Sequence, residues 1–417
     1  MKRRAALYGF LTSEAVSLTG TRVSMIAIPW FVLTTTGSAT RTGITAFAEM
    51  APYVIAKAAA GPWVDRVGPR KICVGTDILS VAAVGAVPLL HALGLLTFPV
   101  LVALVAVAGT LRGPGDGARQ ALVPAVVAAA DVPMERATGL SGAIERLAST
   151  IGATFAGVLV AMVGATTAIV VDAVSFGISA VLLAATAPRQ ERRPRTEEAT
   201  SYRAELLDGW RFLRQDRVLV SMVTMIAVTN LLDAAYASVL VPVWAKDSGG
   251  GAAAMGLLFG VFSAAAVLGS IIAASYATRL PRFTTYAVAF LLGGLPRFVV
   301  LAVHSPMAAI LTVAVIGGFA GGFINPILGA VIYERIPAPL MGRVTSLNNS
   351  LCWAGIPVGG VLGGLAIAAV GLSPALLLAG AVYFGATLLP VFNPQWRQID
   401  RGSGREVGEP DLDLASS

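Results

Sequence analysis

The chain has 417 residues, of which 56% are hydrophobic and 13% charged, with a formal net charge of +7. Soluble domains carry roughly a quarter charged residues, and the mean hydropathy here is +0.77, so a soluble fold is excluded. The basic excess is scattered through short connecting segments and not gathered on one domain, which argues against nucleic acid and reads as membrane topology.

A membrane-crossing helix needs about 20 apolar residues to cover about 30 Å of hydrocarbon. Twelve stretches qualify: 6–33, 42–61, 72–93, 97–118, 137–162, 165–187, 218–244, 253–277, 283–304, 307–332, 344–370 and 372–392. The sequence therefore predicts an all-α integral membrane protein with twelve transmembrane helices. The first stretch follows Lys2, Arg3 and Arg4, is too long for the apolar region of a signal peptide and lacks a small-residue cleavage site, so it is expected to be span 1.

An even number of spans puts both termini on one side. Basic residues occupy the tail before span 1, 66–71, Arg119, Arg136, 189–217, Arg279, Arg282, Arg335, Arg343 and 397–405. The alternate loops hold Arg41 and Lys246. This asymmetry predicts cytoplasmic N- and C-termini in an inner (plasma) membrane, and the Arg-heavy, Ala/Gly/Val-rich usage hints at a bacterial source.

Residues 1–187 read as a first six-helix half and 218–393 as a second. Between them, 188–217 is expected to be a cytoplasmic loop. Its start at Pro188 is polar, and its end, with Leu206, Trp210 and Leu213 three or four apart, fits an amphipathic helix on the membrane surface or a solvated linker helix. The tail 394–417 is expected to be disordered and receives no role. The halves look like a repeat. Ile28-Pro29, Gly37 and Gly43 recur as Val241-Pro242, Gly250 and Gly256, and the Gly152–Gly157 segment recurs as Gly355–Gly360.

Ionisable residues inside spans cost about 2.5–3.5 kcal/mol each if they face lipid, so they are expected to face a cavity or each other. Glu14, Arg22, Glu49, Arg112, Asp116, Arg146 and Asp172 are the candidates for proton coupling and the cavity; Lys57, Asp77 and Glu145 are further span charges. Glu14, Arg112 and Arg146 lie at comparable depth. A carboxylate near two arginines would exchange a proton and shift a two-state balance, or else be a permanently ionised partner of an arginine. Asn230, Asp233 and Arg297 are candidates for contact with substrate. The run Arg112-Gly-Pro-Gly-Asp116-Gly is expected to break its helix at a cavity or to be the frayed end of span 4.

No cofactor or metal is expected. Cys73 and Cys352 are isolated, and His91 and His304 have no ligand-like neighbours. No phosphate-binding loop or catalytic cluster marks an enzyme.

Between spans 2 and 3 lies Gly61-Pro-Trp-Val-Asp65-Arg66-Val-Gly68-Pro69-Arg70-Lys71. This turn resembles the signature loop of the major facilitator superfamily, Gly-x-Leu-x-Asp-Arg-x-Gly-Arg-Lys, with Trp63 replacing Leu and Pro69 displacing the basic pair. Further stretches are similar to the branch of macrolide and enterobactin exporters: Ile28-Pro29-Trp30 with Thr36–Ala39, Val171–Phe176, and Glu205–Leu213. The resemblance implies two pseudo-symmetric halves that rock around a central cavity, in a monomer driven by the proton gradient and exporting a bulky amphipathic molecule. It also implies that Gly61, Asp65, Arg66, Gly68, Arg70 and Lys71 form a conformational-switch loop, Asp65 engaging the start of span 11 near Arg343 in one state. The drug-exporter pattern Gly-Pro-x-x-Gly-Gly is incomplete in span 5 and fuller in span 11 at Pro357-Val-Gly-Gly. An uptake symporter on the same fold and a non-transporting membrane sensor are the alternatives.

Overall fold

The computed structural model describes residues 2–188, 210–276, 281–336, 341–392 and 396. Every long element in it is helical. Span 1 is Lys2–Thr36, span 2 Ala39–Ala59, span 3 Pro69–Ala92 and span 4 Phe98–Ala130. Spans 5 and 6 are the two arms of Met134–Thr186, 53 residues long. A straight helix of that length would run about 80 Å. Gly164, at φ 82° and ψ 159°, turns the chain back; only glycine enters that region without strain.

Span 7 runs as Arg217–Ala235, a π-helical turn Tyr236–Leu240, and Val241–Asp247. Span 8 is Gly251–Tyr276, and span 9 is Arg282–Gly293 with Leu295–Ala302 across a break at Gly294. Span 10 is Met307–Gly321 with Ile324–Arg335, span 11 Met341–Trp353 with Ile356–Val370, and span 12 Leu372–Phe392. Among the described residues ten helical segments are long and apolar enough to cross a membrane. Of the predicted spans, span 2 falls outside that set and carries Arg41, Glu49 and Lys57, while the side chains of the first arm of Met134–Thr186 are described only in part. Large apolar side chains such as Ile55, Leu89, Met162, Val181, Leu268 and Leu378 are exposed, as expected of a surface whose solvent is lipid.

In the first half span 1 packs on spans 5 and 6, span 2 on span 4, and span 3 on spans 4 and 6. In the second half span 7 packs on spans 11 and 12, span 8 on span 10, and span 9 on spans 10 and 12. The halves meet where span 2 crosses span 11 and where span 5 crosses span 8. Both crossings are glycine contacts. A Cβ on Gly43 would collide with the Gly360 carbonyl, and one on Gly157 with the Gly256 backbone. Gly43 and Gly256 are equivalent in the sequence repeat, as are Gly157 and Gly360. The two crossings are therefore one contact made twice, related by the pseudo-two-fold axis. They lie toward the end of the molecule away from the termini, beside the Leu33–Lys246 contact, where the Lys246 ammonium donates to the Leu33 carbonyl over 3.4 Å.

Three sequence expectations are corrected. The 61–71 segment is not an open turn, because Gly61–Val67 forms a short helix ended by Gly68 at φ 95°. The run Arg112–Gly117 neither breaks nor frays; span 4 is helical through it to Ala130. Its small residues serve packing. A Cβ on Gly109 would strike the Glu49 carbonyl, and one on Gly113 would sit 2.6 Å from the Lys57 amide, so they let span 2 approach. Because span 4 continues, Arg119 is a buried helical residue and not a loop cation.

The segment 189–209, most of the predicted amphipathic helix, lies outside the described residues. At its end, 210–215 is helical, Trp210 is exposed and Leu213 is buried with Leu219, Val223, Ile336 and Val344. Asp216 then caps span 7 by accepting from the Val218 and Leu219 amides, and it also holds Arg335 at 2.8 Å. Of the tail, Trp396 is described, and it corrects the expectation of disorder at that position. Its indole is 1% exposed, seated among Met222, Tyr286, Ile327, Leu328 and Val331 with its ring 5.4 Å from that of Tyr286.

Candidate functional site

Span 2 places Glu49, Tyr53 and Lys57 four residues apart, hence on one face. Span 4 presents Arg112 and Asp116 to that face. The Arg112 guanidinium lies 3.5 Å from Glu49 and 3.9 Å from Asp116, and 4.9 Å from the centre of the Tyr53 ring. The Tyr53 hydroxyl donates to Asp116 over 3.0 Å and accepts from the Lys57 ammonium over 3.1 Å. That ammonium also stands 5.1 Å over the ring of Trp353, which belongs to span 11 in the other half. The network thus runs from span 4 through span 2 to the opposite half. Asp116 is partly exposed, at 32% of its side chain, and so is Trp353; the charges border open space.

Asp77 and Arg119 make a different arrangement. Arg119 donates to both Asp77 carboxylate oxygens, over 2.8 and 2.7 Å, and to the Ser179 hydroxyl over 3.0 Å, while Ser179 donates to Asp77 over 2.7 Å. All three are buried. Every partner is satisfied and none faces open space, so this is a clamp joining spans 3, 4 and 6.

Glu14 does not meet Arg112, one of the two arginines expected beside it. Its two carboxylate oxygens face the Ser141 hydroxyl of span 5, each at 2.7 Å. Arg112 instead faces span 2, because Glu14 and Arg112 lie on helix faces turned to different neighbours. The Arg146 side chain lies outside the described residues. Asp172 is buried and bonded to hydroxyls, from Ser24 of span 1 and Ser175 one turn on; Gly20 lacks the Cβ that would collide with both Asp172 and Ser175.

In the second half Asp233 of span 7 pairs with Arg297 of span 9. The guanidinium is surrounded by the rings of Tyr236, Phe298 and Tyr383, at 4.8, 5.0 and 5.0 Å. Its side chain is 14% exposed and that of Asp233 is 43%, so the carboxylate faces outward from the cage. The π-turn directly after Asp233 and the Gly294 break shape this cage, and π-turns recur at functional positions. Asn230 does not join the pair; its amide donates to the Cys352 carbonyl over 2.9 Å and ties span 7 to span 11.

Arg22 is the odd member. Among the described residues its one hydrogen bond goes to the Met25 sulfur at 3.6 Å, and Gly152 of span 5 leaves room for its stem, a Cβ there falling 3.0 Å from the Arg22 Cβ. In the short helix after span 2 Arg66 is exposed, and Arg70, in the first turn of span 3, reaches across to donate to the Ala184 carbonyl of span 6 over 2.5 Å. The Asp65 and Arg343 side chains lie outside the described residues, and with them the contact expected between Asp65 and span 11.

Sequence reasoning named Glu49, Arg112 and Asp116 but missed Tyr53 and Trp353. Tyr53 stands midway between Glu49 and Lys57 on the same face, a spacing that pointed to it. Trp353 has no such signal, because it arrives from the other half.

Comparison with known proteins agrees with this architecture. A sequence profile described as Major Facilitator Superfamily matches residues 10–235 and again 223–406. The chain is 30% identical to the multidrug efflux pump Tap of Mycobacterium tuberculosis, over 98% of each chain. It is 22% identical to macrolide efflux protein A of Streptococcus pyogenes, over 94% of this chain and 97% of that one. Among solved structures, the nucleoside transporter NupG superposes with a TM-score of 0.76 at 10% identity, covering 93% of this chain and all of that one. An inward-facing bacterial homologue of the iron transporter ferroportin superposes at 0.67 and 16% identity, covering 92% and 98%. With the twofold profile match, the repeated glycine crossings and the end-to-end similarity to Tap, the chain belongs to the major facilitator superfamily of transporters.

Proposed function

We propose that this protein is a proton-driven exporter of amphipathic small molecules in a bacterial inner membrane, with both termini in the cytoplasm. The observation that carries the reading is the position of the charged network. The halves touch through glycines toward the end away from the termini, and the Glu49–Arg112–Asp116–Tyr53–Lys57 network stays partly exposed between them. A site open to one side and closed to the other is what alternating access requires. The distribution of basic residues puts the open side in the cytoplasm, where an exporter loads. The names of Tap and macrolide efflux protein A support the outward direction.

In this reading residues 1–187 and 218–393 are the rocking halves and 188–217 is their cytoplasmic connection. Glu14 carries the coupling proton, since its partner among the described residues is a hydroxyl, and a carboxyl so held changes protonation without breaking an ion pair. The 61–71 segment stabilises one of the two conformations through Asp65. The unit is a monomer and needs no cofactor beyond the proton gradient. The test is accumulation of fluorescent dyes and macrolides in efflux-deficient cells expressing the wild type, Glu14→Gln or Asp65→Asn, with and without an uncoupler. Export predicts lower accumulation that the uncoupler abolishes and both substitutions weaken. Unchanged accumulation across the panel, with protein present in the membrane, would remove the export reading.

A further inference from the structure

We infer that Arg22 binds an anionic oxygen group of the transported molecule, so that the substrate carries a carboxylate or similar oxyanion beside its apolar body. The inference deepens the transport reading and rests on it, since it takes the space between the halves as the substrate path. The first observation is a contrast among the described arginines that lie away from the ends of the spans. Arg112 has Glu49, Arg119 has Asp77 and Arg297 has Asp233. Arg22 has a thioether, a weak acceptor for a full charge.

An unpaired cation within a span is costly, and it persists where something else supplies its counter-charge. The position suits a ligand. The Arg22 stem packs on Gly152 of span 5 and the residue is half-buried, on a side of span 1 within electrostatic reach of Arg112 and Asp116 of span 4, Glu145 of span 5 and the Tyr53 hydroxyl of span 2. Arg112 is already matched by its two carboxylates. Among the described residues the planar fork of Arg22 has the weak Met25 contact as its hydrogen bond, and its geometry suits bidentate binding of a carboxylate. Tyr53 and the partly exposed Trp353 offer ring surface for the apolar part of the same molecule.

The test uses two probes with one aromatic body and opposite charge, 1-naphthoate and 1-naphthylmethylammonium. Binding to the full-length protein in lipid nanodiscs is measured by calorimetry, with empty nanodiscs as blank. The expected result is saturable 1-naphthoate binding that falls roughly 10- to 100-fold in Arg22→Gln and is partly kept in Arg22→Lys, while the ammonium probe binds Arg22→Gln at least as well as wild type. Glu145→Gln should leave 1-naphthoate binding unchanged or tighter. Absence of saturable 1-naphthoate binding, or binding indifferent to Arg22→Gln, would overturn the inference. So would loss in Glu145→Gln equal to that in Arg22→Gln, which would make Glu145 the natural partner in another conformation. Thermal unfolding of each variant separates loss of binding from loss of fold. The readout needs no turnover, so a failure of export in cells with binding intact counts against the transport reading and not against Arg22.

Discussion

The two halves share a fold and a set of equivalent glycines, but they treat charge in opposite ways. The first half spreads Glu14, Arg22, Glu49, Lys57, Asp77, Arg112, Asp116, Arg119 and Asp172 over five spans, linked through ion pairs, hydroxyls and a tyrosine. Away from its helix ends, where Arg282 pairs with Glu334 and Arg335 with Asp216, the second half concentrates its described span charges between spans 7 and 9, in one pair with the cation enclosed by three rings. A dispersed network has many arrangements of similar energy, which suits a region that must exchange protons or ligands. A caged pair has one. The difference teaches that duplicated scaffolds keep their contact geometry while the polar chemistry divides between them.

The largest test of that contrast lies within the first half. Asp77→Asn removes the counter-charge of a buried guanidinium, and breaking such a pair costs about 3–5 kcal/mol. Thermal unfolding in detergent should show a clear loss of stability, and a variant as stable as wild type would mean that the clamp is as adaptable as the rest of the network. Next comes Asp233→Asn, which strands Arg297 in its aromatic cage. Because the carboxylate is partly exposed, the expected loss is smaller, about 1–3 kcal/mol, with dye export reduced more than tenfold. If export survives while stability falls, the caged pair is structural.

Ser141→Ala should cost about 1 kcal/mol and leave Glu14 without its hydroxyl, shifting the pH dependence of export if Glu14 carries the proton. An unshifted profile would point to another carboxyl of the network. The smallest effect is expected from Trp353→Leu. It removes one cation–π contact, worth about 0.5–1 kcal/mol at an exposed site, with a few-fold fall in dye export and little change in unfolding temperature. A collapse in stability would instead make Trp353 part of the packing between halves.

Much of the fold was legible in the sequence because lipid imposes a simple rule, a long apolar run for every crossing. Span 2 was readable despite Arg41, Glu49 and Lys57 because the charges sit eight residues apart with mostly apolar residues between. The repeat was readable because the glycine crossings admit no other side chain, which fixes their order in both halves. Arg119 was misread for a physical reason. A basic residue after Gly113, Pro114, Gly115 and Gly117 looks like an exit into water, and its partners lie 42 residues upstream and 60 downstream. Trp396 was illegible because its seat is assembled from spans 7, 9 and 10, which approach one another only in the folded chain.

The glycine crossings also restrict how this protein can change. At Gly43 and Gly157 every one of the other nineteen amino acids brings at least a methyl group into a backbone occupied by the opposite half. No neutral alternative exists there, and a single base change that alters the residue separates the halves or jams them. Lineages that meet new toxic compounds are therefore expected to adapt through residues lining the space between the halves, such as Tyr53 and Trp353. The crossing points themselves should accumulate loss-of-function alleles in any saturation screen.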